Sequence, residues 1–107
     1  MESDLPQRVL LTGAAGGIGT LMRTRLARPD RVLRLLDVAS VPAPADGERV
    51  ELVSASVADL DAMRSACTDV DVILHLGGLS VEGPWSEILD VNIHGTYVVL
   101  EAARAAR

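Results

Sequence analysis

The sequence predicts an α/β fold in which helices cover both faces of a parallel β-sheet. Four short apolar runs alternate with helical patterns along the 107 residues, an order typical of parallel sheets with right-handed crossovers. Hydrophobic residues make up 49% of the chain and aromatic residues only 2%, and a core of Val, Leu, Ile and Ala suits strands buried on both faces. A glycine-rich segment directly follows the first apolar run, as at the strand–helix turns of doubly wound sheets.

The first half of the chain contains two predicted strands joined by a helix. Residues 8–12 (RVLLT) predict a buried strand that ends in the glycine loop. Residues 17–28 follow with apolar side chains at helical spacing, and a proline ends the pattern. Residues 31–36 predict the second strand, which ends at Asp37, and the prolines and glycine of residues 41–47 predict a loop.

The second half of the chain predicts two more strands and two helices. Residues 50–55 form the third predicted strand, and residues 59–67 a short helix with Asp59 as its N-cap. Residues 70–76 (VDVILHL) predict the fourth strand, and Pro84 opens a long helix that runs to the C-terminus. The resulting order predicts a three-layer αβα sandwich with strand order 3-2-1-4.

The charge and composition of the chain exclude some classes of binding partner. The net charge of −5 argues against a nucleic-acid surface, because there is no basic stripe to neutralise phosphates. We recognise no signal peptide and no apolar run long enough to span a bilayer, so we expect a cytoplasmic protein without a membrane partner. All ten basic residues are arginine, and the chain has no lysine.

Residues 12–19 (TGAAGGIG) carry the strongest signal in the sequence. Gly13 permits a tight turn, Gly16 allows the backbone to approach a pyrophosphate closely, and Gly19 lets the following helix pack on the strand. The N-terminus of that helix supplies N–H donors and the positive end of a dipole. Because a predicted strand precedes the segment and a predicted helix follows it, we expect a Rossmann-type dinucleotide-binding loop.

Asp37, at the end of the second predicted strand, indicates which dinucleotide is bound. A carboxylate there accepts hydrogen bonds from the adenosine ribose hydroxyls and repels a 2′-phosphate. Val38 and Ala39 follow it instead of an arginine that would accommodate the phosphate. The residue therefore predicts NAD rather than NADP, and the alternative is an aspartate that only stabilises a turn.

Asn92 stands out on the C-terminal helix. On a helical wheel it lies opposite a polar arc formed by Asp90, His94, Tyr97, Glu101 and Arg104. A buried amide needs hydrogen-bond partners. We expect either a hydrogen bond from this helix to a strand or a role in supporting catalysis.

The apolar arc of the C-terminal helix is also wider than a helix on a sheet requires, so it packs either on a second subunit or on further chain.

The histidines and the cysteine predict no metal site, because they lack suitably spaced partners. We expect His94 to be solvated. His75 ends a buried strand, and we expect its ring to hydrogen bond to the backbone. Cys67 is interpreted as a small buried apolar residue.

These motifs resemble the extended short-chain dehydrogenases/reductases, the group of NAD-dependent epimerases and dehydratases. Residues 12–19 match the TGxxGxxG fingerprint, and residues 75–78 (HLGG), 92–97 (NIHGTY) and 101–104 (EAAR) extend the match. With residues 79–82 (LSVE) and the following proline, the chain is most similar to the uronate dehydrogenases of that group. The resemblance covers nearly the whole chain, from residue 9 to residue 104.

The resemblance implies contacts to a bound NAD, position by position. Gly17 and Ile18 would face the pyrophosphate, and Asp37 the adenosine ribose. Ser56 and Val57 would lie by the adenine. The segment beneath the cofactor would consist of Leu76, Gly77, Gly78, Leu79 and Ser80.

Three further implications concern substrate, catalysis and a departure from the pattern. Ser80 matches a serine that contacts the sugar acid, and Asn92 an asparagine that helps to hold a water near the catalytic lysine. The family usually has an aspartate at the position of Ser56, whose neutral hydroxyl accepts a hydrogen bond from adenine more weakly.

The family's Tyr-x-x-x-Lys pair has no counterpart, because Tyr97 is followed four residues later by Glu101. The last predicted strand, residues 70–76, would also lie at the edge of the sheet and leave an apolar edge exposed. We therefore expect the N-terminal half of a Rossmann domain, with the catalytic and substrate-covering parts absent from residues 1–107.

The expected function is oxidation of a uronic acid to an aldarolactone by an NAD-dependent dehydrogenase that forms a homo-oligomer. A sugar-nucleotide epimerase or dehydratase and a non-catalytic dinucleotide sensor are the alternatives. Residues 80–82 favour the dehydrogenase over the epimerase, because the reactive sugar carbon must lie near this loop.

Overall fold

Four strands form one parallel sheet with helices on both faces, in a computed structural model that describes residues 7–106. The elements in chain order are β1 (Gln7–Thr12), α1 (Gly17–Leu26), β2 (Arg31–Asp37), β3 (Val50–Ser54), α2 (Leu60–Ala66), β4 (Val72–His75), α3 (Trp85–Ile88), a π-helical segment (Leu89–His94) and α4 (Gly95–Ala105).

The strands lie in the order β3-β2-β1-β4, which confirms the predicted topology. Thr12 at the end of β1 pairs with Leu36 on one side and with His75 on the other. The carboxyl ends of three strands therefore meet at one edge of the sheet. In open α/β sheets this edge is where ligands bind.

The sheet separates two cores, and β1 contributes to both. Leu10 is fully buried against α2 and α4, and Leu11 is fully buried on the face that α1 covers. Burying a leucine contributes about 1.5–3 kcal/mol. A strand that is buried on both faces explains the continuous apolar run in the sequence.

An arginine clamp holds the loop after β2 against α1. Arg23 donates from Nε to Glu48 Oε2 at 2.7 Å and from Nη2 to Glu48 Oε1 at 2.8 Å. Its Nη1 also donates to the carbonyl of Pro42 at 2.7 Å. Hydrogen bonds from Arg23 and from the Ala45 backbone lower the pKa of Glu48 from 4.5 to about 2. The clamp therefore joins the segment that follows Asp37 to the helix that follows the glycine loop.

Helix α1 and strand β4 are shorter than predicted, for local reasons. Helix α1 stops at Leu26 because Pro29 disfavours helical backbone in the residue before it. Strand β4 begins only at Val72, since the Asp71 side chain accepts the Arg8 N–H at 2.8 Å in place of a ladder bond. It ends at His75, after which the backbone turns towards the Thr12 hydroxyl. The predicted N-cap of α2 is confirmed, because Asp59 Oδ1 accepts the Ala62 N–H at 3.1 Å.

The prediction of one regular C-terminal helix was wrong in the middle of that helix. Residues Leu89–His94 form a π-helical segment, and the Gly95 N–H donates to the carbonyl of Asp90. Such segments insert one residue into a helix and often occur at functional sites. Within residues 7–106, no helix is both long and apolar enough to cross a membrane.

Candidate functional site

A cavity of about 320 Å³ opens at the carboxyl edge of the sheet. Its walls come from the loops after β1 and β4 and from the ends of β2 and β3. The lining residues are Gly13, Gly16, Gly17, Ile18, Gly19, Leu36, Asp37, Val38, Ala55, Val57, Leu76, Gly77, Gly78 and Ser80. The structure thus brings together all but two of the predicted cofactor-binding residues, and Ser56 and Leu79 lie outside the lining.

Gly13 occupies a position that no other residue fits. Its φ of +70° lies in the left-handed region that favours glycine. A Cβ atom there would lie 2.7 Å from the carbonyl carbon of Leu76 and 2.8 Å from the Gly77 nitrogen. The turn after β1 therefore presses directly on the peptide that follows β4.

The other glycines of the loop divide into open and closed positions. A Cβ at Gly16 would meet only the Gly13 carbonyl oxygen, at 3.4 Å, and one at Gly17 would meet nothing within 4 Å. A Cβ at Gly19 would clash with the Gly13 carbonyl and lie 2.8 Å from the Ala14 Cα. Gly19 therefore allows α1 to pack on the loop itself, whereas we predicted packing on the strand.

The N-terminus of α1 faces this cavity with unused donors. Gly16 is the N-cap and provides no side-chain cap, and Gly17, Ile18 and Gly19 in the first turn line the cavity. The first N–H groups of a helix have no partner within the helix. Together with the dipole, they form a site suited to the oxygen atoms of a phosphate.

The Asp37 carboxylate is held from two sides. Its Oδ1 accepts the Ala39 N–H at 2.9 Å, and its Oδ2 accepts the Ala15 N–H at 3.0 Å. The turn-stabilising role that we considered as the alternative is thus present, together with a bond to the glycine loop. Each carboxylate oxygen can accept a further hydrogen bond from a ligand. No arginine is among the described residues that line the cavity.

The Thr12 hydroxyl connects β1 to the loop after β4. The side chain is fully buried, and its Oγ1 accepts the N–H groups of Leu76 at 3.0 Å and Gly77 at 2.9 Å. The same oxygen lies 2.6 Å from Nδ1 of His75. The prediction that the His75 ring bonds to the backbone was therefore wrong, because its partner is a side chain on the neighbouring strand. Burial lowers the pKa of His75.

Asn92 fixes the loop that contains Ser80. Its Oδ1 accepts the Leu79 N–H at 2.7 Å, and its Nδ2 donates to the Leu79 carbonyl at 3.0 Å. A Cβ at Gly78 would lie 3.0 Å from Asn92 Oδ1, so the helix and the loop approach closely. The amide is half-buried, and its partner is a loop, whereas one of our two alternatives for this residue was a hydrogen bond to a strand.

Two residues predicted by the resemblance lie beside the cavity. The Ser56 hydroxyl oxygen accepts the Ala58 N–H at 3.1 Å. Leu79 forms hydrogen bonds to Asn92 through its backbone N–H and carbonyl. Val57, in contrast, lines the cavity and is buried. Its methyl groups would lie 3.0 Å from a Cβ at Gly77 and 2.8 Å from one at Gly95. Val57 thus connects the cavity to the start of α4.

The polar arc of the C-terminal helix does not contribute to the cavity. Tyr97 is 60% exposed and its ring stacks on that of His94, with centroids 6.4 Å apart. His94 also lies 3.5 Å from Asp90. Throughout the part of the chain that the structure describes, no three His, Cys, Asp or Glu residues are placed to hold a metal ion.

Sequence reasoning missed several residues of the site. Leu36, Val38 and Ala55 line the cavity, and the backbone of Ala15 holds Asp37. Three of them flank the carboxyl ends of β2 and β3, so their position at the ligand-binding edge of the sheet was a usable signal. The role of Ala15 depends on backbone geometry, which the sequence pattern does not specify.

Comparison with known proteins agrees with this geometry. The profile of the 3-beta hydroxysteroid dehydrogenase/isomerase family matches residues 10–107. A uronate dehydrogenase of Pseudomonas syringae pv. tomato is 48% identical over 97 residues, which cover 91% of this chain and 35% of the relative. A uronate dehydrogenase of Pseudomonas putida is 46% identical over 97 residues, covering 91% of this chain and 36% of the relative.

Solved structures give the same relationship. A mutant uronate dehydrogenase from Agrobacterium tumefaciens, complexed with NAD, is 45% identical with a TM-score of 0.82, and the match covers 92% of this chain and 37% of that one. A glucuronic acid dehydrogenase from Chromohalobacter salexigens is 42% identical with a TM-score of 0.85, covering 92% and 36%. The chain thus spans about a third of the length of the relatives that it matches.

Proposed function

Because the chain belongs to the 3-beta hydroxysteroid dehydrogenase/isomerase family, we propose that it is the NAD-binding part of a uronate dehydrogenase. In this proposal the enzyme oxidises a uronic acid to an aldarolactone. The observation that carries the cofactor assignment is one cavity lined by both the open glycines at the start of α1 and the carboxylate of Asp37. The uronate dehydrogenases at 46–48% identity support the substrate class.

The residues present fit NAD by the chemistry of their donors and acceptors. Gly16 and Gly17 leave room beside the N-terminus of α1, where a Cβ would meet at most one atom of the protein, and that end of the helix would hold the pyrophosphate. Asp37 would accept hydrogen bonds from the ribose hydroxyls. Residues 76–80 would run beneath the cofactor. When bound, NAD supplies the hydride acceptor for the oxidation.

Charge supports NAD over NADP in this proposal. The 2′-phosphate of NADP would have to approach the Asp37 carboxylate, and like charges at close range repel. Among residues 7–106, the cavity lining offers no basic side chain to offset that repulsion. The neighbours Val38 and Ala39 cannot donate from a side chain to the phosphate.

Binding and orientation are the roles that we assign to this chain. Ser80 lines the cavity, and its hydroxyl would donate a hydrogen bond to the sugar acid or accept one from it. With no lysine in the sequence, the tyrosine–lysine pair of the family cannot form here. We propose that chain outside residues 1–107 supplies that pair and the substrate cover.

We also propose a cytoplasmic homo-oligomer. Large apolar side chains on the C-terminal helix are exposed, among them Trp85 at 67% and Leu100 at 66%. Exposed apolar patches favour contact with another surface.

Titration calorimetry with NAD and NADP tests the cofactor assignment directly. We expect saturable NAD binding and weaker NADP binding, and a folded protein that binds neither would overturn the proposal. A chimera tests the substrate class, with this chain in place of the 97 matched residues of the Pseudomonas syringae enzyme. We expect it to reduce NAD with glucuronate or galacturonate. A chimera that reacts only with a sugar nucleotide would contradict the uronate assignment.

A further inference from the structure

Three hydrogen-bonding groups surround the Thr12 hydroxyl oxygen: the N–H groups of Leu76 and Gly77 and the ring nitrogen Nδ1 of His75. A hydroxyl has one proton to donate and two lone pairs that accept. The N–H groups of Leu76 and Gly77 can only donate, and both point at this oxygen, at 3.0 and 2.9 Å. The Leu76 N–H also lies 3.3 Å from the Thr12 carbonyl, so the hydroxyl is its nearer acceptor.

The third neighbour, His75, must therefore accept. With both lone pairs of Thr12 Oγ1 in use, the hydroxyl proton is directed to His75 Nδ1 at 2.6 Å. A ring nitrogen that accepts carries no proton, so the ring is neutral with its proton on Nε2. Within the described chain, no buried side-chain nitrogen or oxygen lacks a partner. The network is complete only with this tautomer.

We propose that His75 is a positioning residue, which uses the Thr12 hydroxyl to hold the Leu76–Gly77 peptide in place beneath the dinucleotide. The proposal rests on the cofactor site proposed above. Leu76 and Gly77 both line the cavity, whereas His75 does not and would act through Thr12.

The Leu76–Gly77 peptide is also tightly coupled to the phosphate-binding loop. A Cβ at Gly13 would lie within 2.8 Å of atoms of this peptide, so the two backbones are already in contact. On its other side, Gly77 packs against Val57, to which a Cβ would come within 3.0 Å. A shift of the peptide would therefore displace the glycine turn as well as the cavity floor.

Protonation of His75 would break the network. A proton on Nδ1 would turn the acceptor into a donor and leave the Thr12 hydroxyl facing three donors. The charged and titratable groups on the helices over this face are Asp59, Asp61 and Arg64 at α2 and Glu87, Asp90, His94, Tyr97, Glu101 and Arg104 on the C-terminal helices. Asp90 pairs with His94, and Glu101 pairs with Arg104. On the adjacent strands, Asp37 is held by backbone N–H groups, and Arg8 pairs with Glu51 at the far end of β1. None of these contacts stabilises a charged His75.

The sign of the pH dependence follows from this arrangement. Burial lowers the pKa of His75 from its usual 6.5, so the neutral ring is favoured in the folded protein. The neutral His75 ring therefore contributes its full stabilisation to the folded protein above about pH 6.5, and this contribution is lost as the pH falls through the lowered pKa. We expect NAD affinity to be constant above that range and to weaken in acid.

Two substitutions distinguish the effect of losing the hydrogen-bond acceptor at residue 75 from the effect of losing the ionisable ring. His75→Asn keeps an acceptor oxygen on Cγ, where Nδ1 is attached, and cannot titrate. His75→Leu keeps an apolar volume and removes the acceptor. We expect the leucine variant to bind NAD about tenfold more weakly at neutral pH and the asparagine variant within about threefold of wild type, as for a buried donor with and without a partner.

Calorimetric NAD titrations across pH 5–8 (about the range of histidine) measure these effects. We expect the acid weakening of wild type to be absent in His75→Asn and retained in the control His94→Asn, which changes an exposed histidine. A wild-type profile unchanged by His75→Asn, or equal affinity in the leucine and asparagine variants, would overturn the proposal.

A spectroscopic measurement does not depend on NAD. Nitrogen-15 NMR of the histidine rings in the free protein should show an unprotonated Nδ1 and a protonated Nε2 at His75. Hydrogen exchange should show the Leu76 and Gly77 amides protected in wild type and His75→Asn and faster in His75→Leu. A protonated Nδ1, or amide protection unchanged in His75→Leu, would refute the positioning role. A wild-type protein that shows the expected tautomer but binds no NAD would refute the cofactor proposal alone.

Discussion

The Asp37 carboxylate accepts the backbone N–H of Ala15 at 3.0 Å, and this bond ties the end of β2 to the glycine loop after β1. The two residues belong to the parts of the site that would bind the ribose and the pyrophosphate. The bond fixes the orientation of the Asp37 carboxylate relative to the glycine loop. Preorganisation of this kind reduces the cost of ordering on binding.

Replacing Asp37 with alanine should remove the preference for NAD. The substitution deletes both the acceptor of the ribose hydroxyls and the charge that repels a 2′-phosphate. We expect NAD affinity to fall by about 1–3 kcal/mol, as for hydrogen bonds to a charged group, and NADP affinity to change less. Calorimetry with both cofactors measures this, with Asp46→Ala in the exposed loop as a control. A variant that keeps the full preference for NAD would rule out Asp37 as its source.

Gly16→Val should abolish dinucleotide binding and leave the fold intact. A Cβ at this position meets only one protein atom, at 3.4 Å, so the side chain would extend into space that the pyrophosphate needs. Circular dichroism and NAD titration together test the prediction, with Gly83→Val outside the cavity as the control. If Gly16→Val folds and binds NAD normally, the assignment of the phosphate loop is wrong.

Gly19→Ala should show the opposite pattern, with loss of stability as the primary effect. Here a Cβ would clash with the Gly13 carbonyl and approach the Ala14 Cα to 2.8 Å. Overpacking of this kind costs about 1–3 kcal/mol. Urea unfolding of the variant beside Gly16→Val measures the difference. Equal stability of the two variants would contradict the division into open and closed glycines.

The Arg23–Glu48 clamp should make stability depend on pH in acid. The pKa of Glu48 is lowered from 4.5 to about 2, so its contribution is fully present above pH 4.5 and is lost as the pH falls towards 2. The pair is partly exposed, with side chains 13% and 22% accessible, and we expect about 1–3 kcal/mol after allowance for solvent screening.

Urea unfolding of wild type and Glu48→Gln measures the contribution of the clamp. The stability difference between them should be largest at neutral pH and shrink at about pH 3, where the folded carboxylate loses its advantage. Glu82→Gln in the exposed loop after β4 serves as the control. A difference that stays constant with pH would show that the charge of Glu48 is not what stabilises the loop.

Residues 1–107 alone should show no dehydrogenase turnover. Removal of the hydroxyl proton by a positioned base contributes about 10²–10⁴-fold, and the sequence has no lysine to activate a tyrosine. Tyr97 is exposed on the outer face of its helix and does not line the cavity. The assay follows NADH absorbance with glucuronate and galacturonate, with the Pseudomonas syringae enzyme in parallel. Turnover by this chain would show that residues 1–107 contain a catalytic base, contrary to our assignment.

The sequence was sufficient for the features that depend on local pattern. Alternation of apolar runs and helical periodicity predicted the strand order. Residues 12–19 predicted a tight turn at Gly13, where the structure has a positive φ. The position of Asp37 at the end of its strand placed it in the cavity. Each of these follows from the order of elements and from the meeting of parallel strand ends.

Other features depend on contacts that a linear pattern does not contain. Thr12 and His75 are 63 residues apart, and their bond follows from the register between β1 and β4. The π-helical segment differs from an α-helix by one inserted residue, which apolar periodicity is too coarse to detect. The partner of Asn92 was also missed, because the helical wheel gives the face of a side chain but not the loop that reaches it.

The contact of Gly13 with the Leu76–Gly77 peptide has a kinetic consequence. The two segments are separated by about sixty residues of chain, and long-range pairing forms slowly because loop closure comes before the contact. The cavity is complete only when β4 lies beside β1, and we expect this pairing to form late in folding. A bound dinucleotide should slow unfolding and leave the folding rate nearly unchanged, since the transition state precedes the finished site.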